Sequence, residues 1–342
     1  MSMTGACDGC HGDIVASAMN SLHTNLNGYK TAIDERCGCD YDTAASEGFG
    51  LRCAGCHTGC GECHISRPNS VGGGFIAGHE FRARPHMTNQ CTACHGSRVG
   101  TDYQGQIDED GDGNFDYPAD VHWAEHYMTC EECHPGTEMH NQSPSGSDLG
   151  VFEHRYAMSA MPRCEDCHNV AGSNNYHDAH VEGHADNANL QCQVCHSQPY
   201  KNCTTCHPNP AGSEEGFDLE ASVVQFKIGK NTQPDYRDYD YTVVRHVPVH
   251  PTDTFSDDMW GVLTSGLDDF DSRPTWRYSS PHNIRLWTEQ TRVEGARSCG
   301  DNCHDEADTF NGFYLREIDL YDDGTPLPDY DANLPVVIDE FH

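Results

Sequence analysis

Eight times along this chain two cysteines stand three positions apart, with a histidine directly after the second. The sets are Cys7, Cys10 and His11; Cys53, Cys56 and His57; Cys60, Cys63 and His64; Cys91, Cys94 and His95; Cys130, Cys133 and His134; Cys164, Cys167 and His168; Cys192, Cys195 and His196; and Cys203, Cys206 and His207. A ninth set, Cys299, Cys303 and His304, has one more residue between its thiols. Two thiols at this spacing can form thioethers to a porphyrin, and the histidine that follows can bind the iron from one side. Zinc also takes Cys-x-x-Cys pairs, but a zinc site does not require a histidine after every second cysteine, and it would group the pairs at a repeated spacing that is absent. A disulfide framework satisfies twenty cysteines arithmetically and leaves the histidines unexplained. The expectation is nine haem c groups. Cys37 and Cys39 remain, and an oxidising compartment favours a local disulfide between them.

A second imidazole on each iron decides between electron carriage and catalysis. Fourteen histidines lie outside the motifs, a surplus best explained by iron ligation. His79, His86, His122, His126, His154, His180, His246, His250 and His282 are the preferred distal ligands. His122 and His126 are four residues apart and share one helical face; His180 and His184 have the same spacing, with His177 competing. His246 and His250 flank Val-Pro-Val, and His282 follows a proline. His140 is not assigned. His23 and His342 lie near the two ends and read as ordinary exposed residues, or as ligands to a neighbouring copy. An iron saturated by two histidines has no open position and suits electron transfer. A multihaem reductase would need one iron left open, and is the alternative.

One further loop carries chemistry. Asp108, Asp110, Asp112, Asn114 and Asp116 fall at positions one, three, five, seven and nine of a calcium loop, with Gly113 at six. Position twelve is Ala119 instead of glutamate, and Asp120 is the residue expected to close the shell. A solvated acidic turn is the competing reading; bound calcium would pin this loop.

The elements that position these groups must be modest. Of 342 residues only 36% are hydrophobic, and Gly and Pro number 33 and 17, so an ordinary side-chain core is limited. Porphyrin faces would supply much of the apolar surface. The expected fold is a multihaem cytochrome c architecture with little regular secondary structure: short helices and turns around a stacked haem chain, and a few strands within 220–250. Residues 1–207 form an eight-haem region. Residues 208–298 form a haem-free covering segment that supplies distal ligands, and 299–342 carry the ninth haem and a tail. Asp13–Leu26 reads as an amphipathic helix. Val223–Ile228 and Tyr241–Val249 read as strands, and Trp260, Trp276 and Trp287 as a small core. The formal charge of −34 excludes nucleic acid and acidic membranes as partners and favours a basic redox protein or an extracellular acceptor. No transmembrane run is present. Covalent haem attachment implies an exported chain, extracellular or periplasmic, whose export signal is not in this sequence.

The motif array resembles multihaem c-type cytochromes. The stretches CGECHISRP from Cys60, CTACHGSRVG from Cys91 and SPHNI from Ser280 look like those of uncharacterised bacterial members. The family includes proteins that polymerise into extracellular filaments with continuous haem stacks. The resemblance therefore implies electron transfer, either as a filament subunit, a homopolymer, or as a discrete shuttle.

Overall fold

In the computed structural model the described residues are 7–38, 59–67, 73–75, 81–170, 172–181, 188–202, 223–247, 269–292, 299–303 and 312–339. Cys39, Cys53, Cys56, His57, His79, His184, Cys203, Cys206, His207, His250, Trp260, His304 and His342 lie outside them. The chain divides into two units that are each discontinuous in sequence. One comprises Met1–Ser97, Met128–Pro162 and Phe255–Thr264; the other comprises Arg98–Tyr127, Arg163–Thr254 and Ser265–His342. Residues 1–207 thus contribute to both units.

The first unit is built from short helices. Asp8–Ala18, Leu22–Asn25 and Asn27–Cys37 run in succession, followed by Cys60–His64, Thr92–His95, Cys130–Cys133 and Gly136–Met139. The amphipathic helix expected over Asp13–Leu26 is broken. Ser17 and Ala18 carbonyls turn the chain by accepting from Asn20 and Ser21, and Ser21 restarts it with an extended backbone. Val15 is buried, whereas Ile14 and Met19 of the expected face are exposed. Hydroxyl and amide side chains that compete for backbone bonds explain the break. Asn20 donates to Asp148 at 2.7 Å, Asn27 to the Phe152 carbonyl at 3.2 Å and Thr31 to the Glu153 carbonyl at 3.0 Å, which docks these helices on the 148–153 stretch. Cys37 is disulfide-bonded.

The second unit has a small sheet core. Strands β1 (Tyr200–Asn202) and β2 (Val223–Gln225) pair antiparallel, as do β3 (Ile228–Lys230), β4 (Tyr241–His246) and β5 (Trp276–Tyr278) in that order. A hairpin of β6 (Tyr321–Asp322) and β7 (Thr325–Pro326) follows. The strand expected over Val223–Ile228 is split at Phe226 and Lys227, because its two halves pair with different neighbours. Strand β4 is covered on both faces. Val243 packs with Val194, Tyr200, Phe226, Ile228, Phe313 and Ile338, and Val244 packs with Trp276, Leu315, Leu320, Val336 and Val337. A strand buried on both sides reads as a continuous apolar run, and the sequence YTVVRH fits except for Arg245. That guanidinium pairs with Asp102 at 2.7 Å, both side chains buried, and lies 4.7 Å over the Tyr200 ring. Gly229 is required by a close approach: a Cβ there would meet Val336 Cγ1 at 2.8 Å. Trp287 does not join this core and is 66% exposed, a correction to the expected tryptophan cluster.

Candidate haem-ligand site

The described cysteine–histidine motifs are helical, most of them a single turn, with the Cys91 motif inside a longer helical run over 87–104. The amide of His11 donates to the Cys7 carbonyl at 2.9 Å, that of His134 to Cys130 at 2.8 Å and that of His168 to Cys164 at 2.9 Å, while Cys60–His64 and Cys192–His196 are short helices. This i to i−4 bond draws both thiols and the imidazole onto one turn. Three motifs carry an acid just before the second cysteine, and it caps the turn. Glu62, Glu132 and Asp166 accept from the amides of Gly59, Thr129 and Arg163 at 2.9, 2.6 and 2.8 Å. Glutamine holds two others in place from the position before the first cysteine. Buried Gln90 bonds the carbonyl of Cys63 and the amide of His86. Buried Gln191 donates to the Ser279 carbonyl and accepts from the Val243 amide, both at 2.8 Å.

Thiols of different motifs lie near one another within each unit. In the first, Cys60 lies near Cys7 and Cys130 near Cys91, with Cys63 near Cys91 and Cys94. In the second, Cys192 lies near Cys164. Burial and these neighbours push the Cys63 thiol up to about 11.

The histidines pair in a specific way. Four ring contacts between histidines occur among the described residues: His23 with His95 at 6.2 Å between centres, His64 with His140 at 6.0 Å, His122 with His168 at 5.9 Å and His177 with His196 at 6.2 Å. Each joins one motif histidine to one outside the motifs. Six motif and ten other histidines are described, so indiscriminate pairing would mix the classes about half the time. A metal–imidazole bond is about 2.0–2.1 Å and a ring nitrogen lies roughly 1.1 Å from its ring centre, so two imidazoles on one metal have centres roughly 6.3 Å apart. The four spacings fit that distance. The rings can rotate about the common axis, so interplanar angles from 27° to 84° are compatible with it.

Ring nitrogens are also set for ligation. His64 Nδ1 donates to the Arg82 carbonyl at 2.6 Å, His196 Nδ1 to that of Arg285 at 3.2 Å and His282 Nδ1 to that of Ser280 at 2.9 Å. His122 Nδ1 donates to Asp120 at 2.8 Å and His134 Nδ1 to Glu138 at 3.0 Å. A carbonyl or carboxylate only accepts, so in the neutral ring the proton is on Nδ1 and Nε2 carries the lone pair that a metal needs. Burial holds His95, His140 and His196 below the usual histidine range, with neighbouring His134, His64 and His177 respectively reinforcing it. Neutral imidazole is the ligating form. Apolar side chains stand exposed beside these rings. Phe81 stacks on His64 at 4.8 Å, and Tyr176 and Leu286 adjoin His177 and Arg285.

One segment of the second unit supports two of these pairs. Asn283 donates to the carbonyls of Gln198 and Pro199 at 2.9 and 2.8 Å. Arg285 exchanges main-chain and ring bonds with His196. Ile284 donates to Asp120 at 2.7 Å and accepts from Val121 at 2.9 Å. Residues 283–285 therefore brace both the His196 and the His122 seats.

Of the four non-motif partners, the sequence favoured His122, held His177 as a competitor of His180 and His184, read His23 as an exposed residue or a ligand to a neighbouring copy, and left His140 unassigned. His23 is exposed as expected, yet its ring meets His95 of its own chain. Of the other preferred residues, His246 donates from Nε2 to Asp329 at 3.2 Å and lies against Trp276, and His154 Nδ1 accepts from the Tyr156 amide at 3.2 Å as a helix cap. His180 sits on helix Asn175–His180 with His177. The rings of His86 and His126 make no ring or hydrogen-bond contact among the described residues.

The acidic loop is partly as expected. Asp108, Asp110 and Asp116 bring oxygens within 4.8 Å of one another. Asp112 and Asn114 are bonded to each other at 2.9 Å and stand outside that group. Asp120 does not close the shell. It is buried, caps helix Val121–His126, and its oxygens are taken by His122 and Ile284. Gly105, with φ +63°, lets the chain pass against Ala119 and so closes the loop from 105 to 119.

No family model, no curated protein and no solved structure matches this chain. No helix among the described residues is long and apolar enough to cross a membrane.

Proposed function

We propose that this chain carries electrons through nine covalently attached haem c groups, held mainly by paired histidines. The four mixed histidine pairs carry the reading. In it, each cysteine pair anchors a porphyrin, His64, His95, His168 and His196 bind from the motif side, and His140, His23, His122 and His177 bind from the other. Iron between two imidazoles supplies a one-electron centre with no open coordination position. The residues of the chain orient these ligands: the Arg82 and Arg285 carbonyls and the Asp120 carboxylate fix ring tautomers, and Gln90 and Gln191 hold two anchors in place. Thiols of different motifs that lie near one another within each unit support attachment points set side by side. The acidic surface directs the carrier toward basic partners in an oxidising compartment outside the cytoplasm. Calcium at Asp108, Asp110 and Asp116 would be a structural clamp.

Ferric EPR of the purified exported protein tests this. The reading expects every iron to be low-spin. A protein without haem, or one whose iron is largely high-spin and turns over nitrite or hydroxylamine, would replace it with a different function.

A further inference from the structure

The proposed iron ligands differ in what receives their outward proton. His64, His196 and His282 donate to main-chain carbonyls. His134 and His122 donate to carboxylates. His134 Nδ1 lies 3.1 and 3.0 Å from the two oxygens of Glu138, and His122 Nδ1 lies 2.8 Å from Asp120. Both acids are buried, at 4% and 2% exposure. Among the described residues the Glu138 carboxylate has no hydrogen-bond partner other than His134.

We propose that Glu138 and Asp120 are potential-setting residues that hold the haems anchored at Cys130 and Cys133 and at Cys164 and Cys167 at the low-potential end of the set. This rests on the bis-histidine reading. A carboxylate pulling on the Nδ1 proton makes Nε2 a stronger donor, and a full negative charge kept from water favours the ferric over the ferrous state. A carbonyl offers only a dipole. The assignment of Asp120 to the second haem follows from the His122–His168 contact at 5.9 Å. Each titration step is a one-electron reduction of ferric to ferrous iron by an added reductant, with no bond made or broken. Both acids are positioning residues: they act on the iron through a histidine.

The test is spectroelectrochemical titration of the intact holoprotein, comparing wild type with Glu138→Gln, Asp120→Asn and, as a control for one lost exposed charge, Asp322→Asn. Glutamine keeps an acceptor oxygen for His134 and removes the charge. The expected result in Glu138→Gln is that about one ninth of the amplitude leaves the low-potential foot. It moves positive by at least a tenfold change in the ferric-to-ferrous ratio, equivalent to 59 mV for one electron. Asp120→Asn moves a second ninth, and Asp322→Asn leaves the curve in place. Asp120 also caps a helix, so Glu138→Gln carries the decision. If nine low-spin haems are present and Glu138→Gln titrates like wild type or like the control, the proposal is overturned. If the wild type itself lacks low-spin haem, the bis-histidine reading fails instead.

Discussion

Replacing His140 with alanine removes one imidazole of a pair and leaves the opposite side intact. His64 keeps its 2.6 Å bond to the Arg82 carbonyl and so stays oriented, and the anchoring Cys60 and Cys63 are untouched. The ring centres are 6.0 Å apart, against roughly 6.3 Å for two imidazoles on one iron, so under the proposed reading His140 fills one coordination position of one iron. With nine motifs, the substitution opens about one ninth of the iron. Ferric iron that loses one of two imidazoles becomes high-spin. Integrated EPR intensity therefore shifts from low-spin to high-spin by about one ninth, the haem-to-protein ratio stays unchanged, and added imidazole reverses the shift. His23→Ala does the same for the haem anchored at Cys91 and Cys94. The double variant opens two ninths, because the two pairs share no residue. A fully low-spin His140→Ala holoprotein with an unaltered spectrum would mean that the 6.0 Å contact is only ring packing, which occurs at the same range of distances.

Arg245→Met leaves the buried Asp102 without its partner and lowers holoprotein stability by about 3–5 kcal/mol. Burial already pushes the Asp102 carboxyl up while Arg245 pulls it down, so the variant's carboxyl rises further. A raised carboxyl stabilises at low pH and loses that contribution as pH rises through it; melting curves should therefore show a larger loss near neutrality than in acid, and an equal loss at both would contradict this. Gly229→Ala forces a methyl to 2.8 Å from Val336 Cγ1 and costs about 1–3 kcal/mol by overpacking, read as a lowered Tm. Asp108→Ala should abolish calcium uptake measured by calorimetry and speed proteolysis between Ile107 and Asp116; a calorimetric signal equal to wild type would remove the site. If haems occupy the motifs as proposed, neighbours ~10 Å apart at an effective dielectric of ~20 interact by roughly 1.7 kcal/mol, so the reductive titration should be broad, and nine separate waves would contradict close anchors.

The helical turns of the motifs were legible because the spacing is local: two thiols and one imidazole within five residues share one turn. The partner of each motif histidine is a tertiary property. His23 follows the first motif but meets His95 of the fourth, and His140 follows the fifth but meets His64 of the third. No spacing rule records such crossings. His122 was singled out through its helical spacing from His126, and a better signal for its contact with His168 was Asp120 two residues earlier, which caps the helix and takes the ring proton. The strands within 220–250 followed from β-branched residues, but Phe226 and Lys227 switch pairing partners, a choice made by neighbours distant in sequence. The Asp13–Leu26 helix failed because apolar periodicity said nothing about the backbone bonds of Asn20 and Ser21.

Intact mass under denaturing conditions addresses the central claim most directly, because thioether-linked haem survives unfolding while bound metal does not. The account predicts a mass above the 37.8 kDa polypeptide by nine haem groups. The polypeptide mass alone, or that mass less the hydrogens lost to disulfides, would contradict it.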